Sequence, residues 1–336
     1  MTKKTPKLAV ALALAGALLA GCSAAGPDRA SGTDPVAPSA AATSAAPEID
    51  KVAVTYVTAP LNVPSIVERK AGIFADAFSA SGIDVTYSEL TTGPEQTAAL
   101  ASGDIQFLFG VGATSVILAA ANGADIAVVD TYSRSPEAFQ LVAGPNGPTS
   151  PAELKGKTVA GPKGTILHQL LLAYLASGGL TAEDVTFVDM PIPDAHAALA
   201  GGSVDAALLA GPAAYQAVAE GNRTVTDGTG LVGATIVVAT SRTFATEHPT
   251  VVSAFVAAHH AVLDYMAERP DDALAMAADE TGLSLGAVRG MFQQYDFSPT
   301  VTAADVASLK ATEEFMLANG MIEHRVDIPG LILAEG

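Results

Sequence analysis

The sequence is poor in cysteine, in basic residues and in large aromatic side chains. It has one cysteine and no tryptophan among 336 residues. A single cysteine excludes a disulfide framework and a metal site built from several thiolates. Lysine and arginine number 17 against 35 acidic residues, a formal net charge of −18. This balance argues against nucleic acid as a partner, because phosphate binding relies on clustered basic side chains.

The N-terminus has a pattern typical of an exported lipoprotein. Three lysines precede an apolar stretch from Leu8 to Ala20, which has the length of a signal-peptide core and is too short to span a bilayer. The stretch leads into Leu-Ala-Gly-Cys, which resembles the lipobox of bacterial lipoproteins. We therefore predict a signal peptide over residues 1–21 and lipidation of Cys22. The alternative is an ordinary signal peptide with an incidental cysteine.

The following segment is predicted to be a flexible tether over residues 22–48. It is rich in alanine, serine, proline, glycine and threonine and has no aromatic residue. Such a composition buries too little apolar surface to offset the entropy lost on ordering. The folded part is expected to begin near Ile49.

From Lys51 onward, short β-rich runs alternate with helical stretches, which is typical of an α/β protein with mostly parallel sheets. The predicted strands lie at 52–56, 85–90, 105–109, 126–131, 158–160, 185–189 and 206–209. The predicted helices between them lie at 64–71, 95–102, 114–122, 166–177, 194–200 and 213–220. Beyond the apolar run 235–240 the chain is predicted to be helical, at 250–268, 271–281, 285–294 and 303–319.

The two sets of strands and helices resemble each other. The run Asp-Val-Thr-Tyr-Ser-Glu-Leu at 84–90 aligns with 184–190, and a little further on Gly112 falls on Gly211. The alternative is that both sets are generic alanine-rich units. Because ligands bind at the carboxyl ends of strands in open parallel sheets, two related halves facing each other would enclose a cleft.

Glycine-rich turns between strand and helix are the candidate ligand contacts. They occupy 110–115 in the first set and 161–165 in the second, and Gly211 lies in a weaker counterpart. Glycine lets backbone amides approach a ligand, and a helix N-terminus favours an anion. Asn62 and Thr92, which follow the first two strands, either face the cleft or cap the next helix. The competing interpretation of all these turns is tight chain reversal with capping hydroxyls.

Sequence motifs for catalysis or metal binding are missing. There is no His-Glu-x-x-His, nucleophile elbow or dinucleotide fingerprint. His259 and His260 are adjacent on a predicted helix, so we expect them to point about 100° apart and not to share one metal. Arg134 either clamps an anion or pairs with a carboxylate, and the role of Asp296 stays open. We predict no enzyme activity, no metal and no cofactor.

Several segments resemble a known family. They are residues 60–72, 93–104, 154–165, Phe244 and the pair His248-Pro249. They look like the nitrate/sulfonate/taurine-type solute-binding proteins of ABC importers, a group that includes binders of thiamine-pyrimidine precursors. The similarity runs from about Lys51 to Asn319. Its motifs are specific for the family but do not indicate which ligand is bound.

The resemblance implies a type II periplasmic-binding-protein fold. This is an α/β, two-lobed protein with two mixed, mostly parallel sheets and flanking helices, joined by two crossing segments. Lobe 1 would comprise residues 49–140 and 240–336, and lobe 2 residues 141–239. The crossing segments are expected near 139–142 and 235–240.

The resemblance also implies the ligand contacts and the role. Carried over by position, the contacts are Gly112, Ala113 and Thr114 from lobe 1 and Lys163, Gly164, Thr165 and His168 from lobe 2. The expected function is capture of a small polar solute, such as a sulfonate, nitrate or related organic acid, and its delivery to a permease and its ATPase. The protein would act as a monomer at the cell envelope, anchored to the outer face of the membrane or periplasmic. The alternatives are an enzyme of thiamine-pyrimidine synthesis on the same fold and a lipoprotein that docks an envelope sensor.

Overall fold

Runs of valine, threonine and aromatic residues form strands, and the alanine- and leucine-rich stretches between them form helices. The computed structural model describes residues 49–333. Its strands are β1 (Lys51–Tyr56), β2 (Asp84–Glu89), β3 (Leu108–Gly112), β4 (Ala127–Arg134), β5 (Phe139–Ala143), β6 (Thr158–Gly161), β7 (Thr186–Asp189), β8 (Ala206–Ala210), β9 (Arg223–Asp227) and β10 (Thr235–Thr240). The predicted signal peptide, Cys22 and the tether lie outside the described residues.

The helices follow the strands closely in the first two thirds of the chain and then run consecutively. They are α1 (Val63–Ala71), α2 (Ile73–Ser79), α3 (Gly93–Ser102), α4 (Ala113–Ala121), α5 (Ile166–Ser177), α6 (Ile192–Ala200), α7 (Gly211–Ala219), α8 (Arg242–Glu247), α9 (Pro249–Glu268), α10 (Pro270–Thr281), α11 (Leu285–Phe292), α12 (Ala303–Ala318) and α13 (Ile328–Leu331). Strands β5, β9 and β10 and helices α2, α8 and α13 were not predicted.

The strands build two sheets with the same order. Sheet I contains β1 paired in parallel with β2, and β10 paired antiparallel with both β3 and β4. A parallel bridge between Val54 and Phe107 joins these two parts, which gives the order β2-β1-β3-β10-β4. Sheet II has the order β7-β6-β8-β5-β9. In each sheet the first three strands are parallel and the fourth runs antiparallel to both its neighbours.

This common order agrees with the internal repeat seen in the sequence. The aligned runs at 84–90 and 184–190 form β2 and β7, the outer strands of the two sheets. Gly112 ends β3 before α4, and Gly211 follows β8 at the start of α7. The mixed, open α/β sheets confirm the predicted fold class.

The chain passes between the sheets at places other than those predicted. The segments 139–142 and 235–240 lie within β5 and β10, each of which is hydrogen-bonded on both sides. The passages are residues 135–138 and 228–234. A central strand is buried on both faces, so its sequence is a continuous apolar run. Such a run has the same pattern as a buried linker, and the sequence alone does not distinguish the two. The division into lobes at 140 and 240 stays a prediction.

Helix α9 packs against the aromatic core of sheet I. Phe255 of α9 stacks on Phe107 with ring centroids 3.8 Å apart and contacts Phe74 and Phe109. By length and composition α9 is long and apolar enough to cross a membrane, and a third of its most apolar window is buried inside the fold. The rings of Phe244 and Tyr132 extend this cluster through Phe107 and Phe109, so that stacked and edge-to-face aromatic contacts hold α9 on sheet I.

Candidate functional site

The strand-to-helix junctions of the two sheets face each other across a cavity of about 60 Å³. Sheet I contributes the turns after β2 and β3, and sheet II contributes the turn after β6. The lining includes Thr92, Gly93, Gly112, Ser115 and Thr165. None of the described residues that line this cavity has an ionisable side chain. The polar groups of the cavity are therefore backbone, hydroxyl and amide groups within a largely apolar lining, and the lining side chains carry no charge.

Three helices begin at this cavity. Helix α3 starts at Gly93, α4 is preceded by Gly112, and α5 is preceded by Thr165, and all three residues line it. The first N–H groups of a helix lack intrahelical partners, and the aligned peptide dipoles leave partial positive charge there. Convergence of three such ends favours a negatively charged group in a site that has no cation of its own.

Two of the lining hydroxyls also cap these helices. Thr92 Oγ1 accepts from the N–H of Glu95, whose carboxylate accepts from Thr92 N, so that a complete capping box starts α3. Thr165 Oγ1 accepts from His168 N and donates to Pro162 O at 2.8 Å. The predicted contacts Thr92 and Thr165 therefore both lie at the cavity, and the hydroxyl oxygen of each already caps a helix.

Direct hydrogen bonds join the two sides of the cavity. Ser115 Oγ donates to Gly164 O at 2.9 Å, and Thr114 Oγ1 donates to Gln169 Oε1 at 2.7 Å. All four residues are buried. The turns carrying Gly112 and Gly164, which were predicted to converge, therefore meet directly, and the structure is a closed arrangement.

The remaining predicted contacts of sheet II lie behind the cavity. The Lys163 side chain is exposed, and the backbone N–H of Lys163 donates to the Asp189 carboxylate. His168 Nδ1 accepts from Gly164 N at 3.4 Å, and its ring packs on Phe187. Burial, helped by the nearby Lys163 ammonium, lowers the pKa of His168 to about 4, so the ring is neutral and supports the turn. Neither side chain lines the cavity, and their contact with a ligand stays a prediction.

Three predicted contacts pack within the fold. Ala113 is buried in the core of sheet I. Asn62 does not cap α1; its Nδ2 donates to Val57 O at 3.0 Å and closes the turn after β1. Gly211 has φ +51°, and a Cβ there would lie 2.7 Å from Leu61 N. Gly211 thus allows the two halves to touch through their backbones.

Sequence reasoning missed Gln96, which lines the cavity from the first turn of α3. Its Nε2 donates to Leu90 O, and its buried Oε1 has no hydrogen-bond partner among the described residues. An orphaned buried acceptor is costly, so Gln96 is suited to receive a donor from a ligand. Its position one turn after Gly-Pro at a helix start was the available signal. Phe139 is the aromatic side chain in the lining, also missed.

Arg134 serves the structure and not the cavity. It forms a two-point ion pair with buried Asp305, Nε to Oδ1 at 2.5 Å and Nη2 to Oδ2 at 2.6 Å, and binds the carbonyls of Ser298 and Thr300. Asp296 contacts the same guanidinium at 3.5 Å. Although burial opposes it, hydrogen bonds from Arg134 and Thr302 lower the pKa of Asp305 to about 2. The carboxylate-pairing interpretation of Arg134 is the one observed.

The adjacent histidines reach the same carboxylate. His259 Nδ1 and His260 Nε2 both lie 2.9 Å from Asp130 Oδ2. Their Cβ directions diverge along the helix, but His259 uses its near ring nitrogen and His260 its far one. The two rings therefore meet on one carboxylate oxygen, which sequence spacing alone did not anticipate.

Comparison with known proteins gives consistent relatives. The sequence matches the NMT1/THI5-like family model over residues 63–273. A protein of Escherichia coli (strain K12), provisionally named for binding aliphatic sulfonates, is 28% identical over 251 residues, covering 73% of this chain and 77% of that protein. The taurine-binding periplasmic protein of the same strain is 31% identical over 208 residues, covering 61% of this chain and 62% of its own.

A solved structure shows the same fold. The alkanesulfonate-binding protein SsuA from Xanthomonas axonopodis pv. citri, bound to MOPS, has a TM-score of 0.77 and 24% identity, covering 86% of this chain and 99% of that one. The family match spans more than half of the chain and includes all of sheet II and most of the residues that line the cavity. The resemblance to solute-binding proteins and the periplasmic-binding-protein fold are thereby confirmed, and this chain belongs to the NMT1/THI5-like family.

Proposed function

We propose that this chain captures a small sulfonate in the cavity between sheets I and II and delivers it to the permease and ATPase of an ABC importer. The observation that carries the proposal is the convergence of α3, α4 and α5 on one uncharged cavity. Fixed helix ends act on a bound anion at contact distance, whereas the net charge of −18 acts mostly beyond a Debye length of about 8 Å. The sulfonate- and taurine-binding relatives support the same ligand class.

The ligand is held without chemistry. Main-chain N–H groups at the three helix starts bind the sulfonate oxygens. The hydroxyl of Thr92, which accepts from Glu95 N and donates to no described residue, adds a further donor. Gln96 Oε1 accepts from a donor elsewhere on the ligand. Bonds across the cavity, such as Ser115 to Gly164, favour the closed form once the ligand is seated, because a ligand touching both sides binds only that form tightly.

The envelope location is part of the proposal. Acyl chains on Cys22 anchor the monomer to the outer face of the membrane, and residues 22–48 tether the folded part within reach of the permease. Metabolic acyl labelling of the wild type and of Cys22→Ser tests the anchor. Labelling of both chains would contradict it.

Binding is tested by calorimetry with taurine, short alkanesulfonates, nitrate, carboxylates and pyrimidines, after unfolding and refolding to remove co-purified ligand. We expect saturable binding of a sulfonate. Gly112→Ala should weaken it by about tenfold or more, because one added methyl group in a close-fitting pocket is worth about 1–3 kcal/mol. Gly112 lines the cavity, and its Cβ would lie 3.2 Å from Ile166.

Gly144→Ala is the matched control. Gly144 lies away from the cavity, and a Cβ there meets nothing within 4 Å. It should bind like the wild type. Absence of saturable binding to every sulfonate, equal weakening by both substitutions, or turnover of the bound compound would each contradict the receptor function.

A further inference from the structure

Asp130, His259 and His260 form a cluster on the side of sheet I that packs against α9. One nitrogen from each ring and one oxygen of the carboxylate all lie within 4.8 Å of one another. None of the three residues lines the cavity. We propose that this cluster binds a divalent transition-metal ion of the zinc type, through His259 Nδ1, His260 Nε2 and an Asp130 carboxylate oxygen.

The distances between the candidate ligand atoms fit a metal site after a small adjustment. Each imidazole nitrogen lies 2.9 Å from Asp130 Oδ2. Ligands bonded to Zn²⁺ at about 2.0–2.1 Å in tetrahedral geometry are separated by about 3.3 Å. Inserting an ion therefore requires each nitrogen–oxygen pair to separate by about 0.4 Å. The two ring nitrogens, which lie within 4.8 Å of each other, must settle at the same spacing of about 3.3 Å by side-chain adjustment.

The elements that carry the ligands are rigid. Asp130 lies in the middle of β4, which is paired with β10, and its second oxygen Oδ1 accepts from Thr131 N at 2.8 Å. His259 is fully buried between Phe109 and Tyr132. Because the ligands lie on a strand and in a helix interior, they keep their geometry before the metal binds. The Asp130 carboxylate is already oriented by its hydrogen bond from Thr131 N.

Access and metal type follow from burial and ligand chemistry. The His260 side chain is 39% exposed, whereas those of Asp130 and His259 are 1% and 0% exposed. The edge at His260 therefore provides an entry path and room for a water ligand. Two imidazoles and one carboxylate select borderline metals such as Zn²⁺ and Co²⁺ over Mg²⁺ and Ca²⁺, which prefer oxygen ligands.

The affinity is expected to be moderate. A metal-bound imidazole normally donates its other ring N–H to an acceptor, and loss of that support costs about 10–100-fold in affinity. His259 Nε2 is buried and has no partner among the described residues. We therefore expect binding weaker than in a structural zinc site, with no requirement of the metal for folding.

The test is calorimetric titration of the chelator-treated full chain with ZnCl₂, and visible absorption of the Co²⁺ form. We expect one saturable site and a Co²⁺ spectrum of low coordination number. His260→Ala should weaken binding at least about tenfold. Its half-exposed position allows the variant to fold, which its thermal unfolding verifies.

His324→Ala is the control, since His324 is exposed and remote in sequence from the cluster. It should bind Zn²⁺ like the wild type. Mg²⁺ and Ca²⁺ should give no heat at the same site. Absence of a saturable Zn²⁺ site, or equal affinity in wild type and His260→Ala, would overturn the proposal and leave the cluster as a buried carboxylate held by two imidazoles.

Discussion

Sheets I and II share one strand order but use equivalent positions differently. Gly112 and Gly211 occupy matching junctions before α4 and α7, yet Gly112 lines the cavity and Gly211 lies against the backbone of Leu61. One junction leaves space and the other fills it. A repeated topology therefore supplies paired junctions, and the close contacts of individual residues decide which of them can receive a ligand.

The outer edges of the two sheets differ in the same way. Each ends on a strand whose terminal arginine binds loop carbonyls: Arg134 ends β4 and Arg223 begins β9. Arg134 also pairs with the buried carboxylate of Asp305. Arg223 binds the carbonyls of Pro145 and Pro148, and no salt bridge to it is found within residues 49–333. The C-terminal helices pack beside sheet I and supply the carboxylate that sheet II lacks.

The largest expected effect separates these two arginines. Arg134→Ala should lower the free energy of unfolding by about 3–5 kcal/mol, because it leaves the Asp305 carboxylate buried without its partner. Arg223→Ala should cost only about 1–2 kcal/mol, the loss of a few hydrogen bonds to carbonyls. Urea unfolding at pH 7 measures both. Equal losses of unfolding free energy in the two variants would show that the ion pair with Asp305 adds nothing to the hydrogen bonds from Arg134 to the loop carbonyls.

The secondary structure was predictable where the periodicity was strong. Helix α5 has the predicted bounds, because it is a long apolar run with a turn residue on either side. Strand β9, Arg-Thr-Val-Thr-Asp, was missed because it is short and polar and forms the edge of sheet II. Its pairing with β5 is a tertiary contact, which local propensity does not encode.

The candidate site was predictable in outline only. The repeat and the glycine-rich turns indicated that the regions of Gly112 and Gly164 converge, as they do. The exposure of the Lys163 side chain at the turn was not predictable from the spacing of the glycines. The close approach of Gly211 to the Leu61 backbone of the other half was not predictable either, and its contact with a ligand stays a prediction. Such contacts between distant segments leave no local pattern in the sequence.

A second prediction contrasts two buried ionisable groups. Burial raises the pKa of Glu68, on the sheet I side, to about 7 despite a hydrogen bond from Tyr87, and burial lowers that of His168 to about 4. Glu68 folds protonated, so its contribution to stability is complete below about pH 4.5 and is lost as pH rises toward 7. His168 folds neutral, so its contribution is complete above about pH 6.5 and is lost as pH falls toward 4.

Substitution should expose these opposite slopes. Relative to the wild type, Glu68→Gln should gain stability by about 3 kcal/mol as pH rises from about 4.5 to 7, following about 1.4 kcal/mol per unit of pKa shift. His168→Gln should instead gain relative stability as pH falls from about 6.5 to 4. Denaturant unfolding across this range measures the differences. A Glu68→Gln difference that does not change with pH would mean that Glu68 folds ionised.

The smallest expected effect tests the two glycines directly. Gly211→Ala should cost about 2 kcal/mol of folding free energy, because an L-residue at φ +51° is strained and its Cβ meets the backbone nitrogen of Leu61 at 2.7 Å. Gly112→Ala should cost less, about 1 kcal/mol, because Gly112 has φ −66° and its Cβ would meet only the side chain of Ile166, at 3.2 and 3.3 Å. Thermal unfolding without ligand compares them. Gly112→Ala is also the variant expected to lose binding. A melting temperature close to that of the wild type would assign the loss of binding to the filled cavity. A destabilisation as large as that of Gly211→Ala would mean that both junctions serve only to pack the two halves.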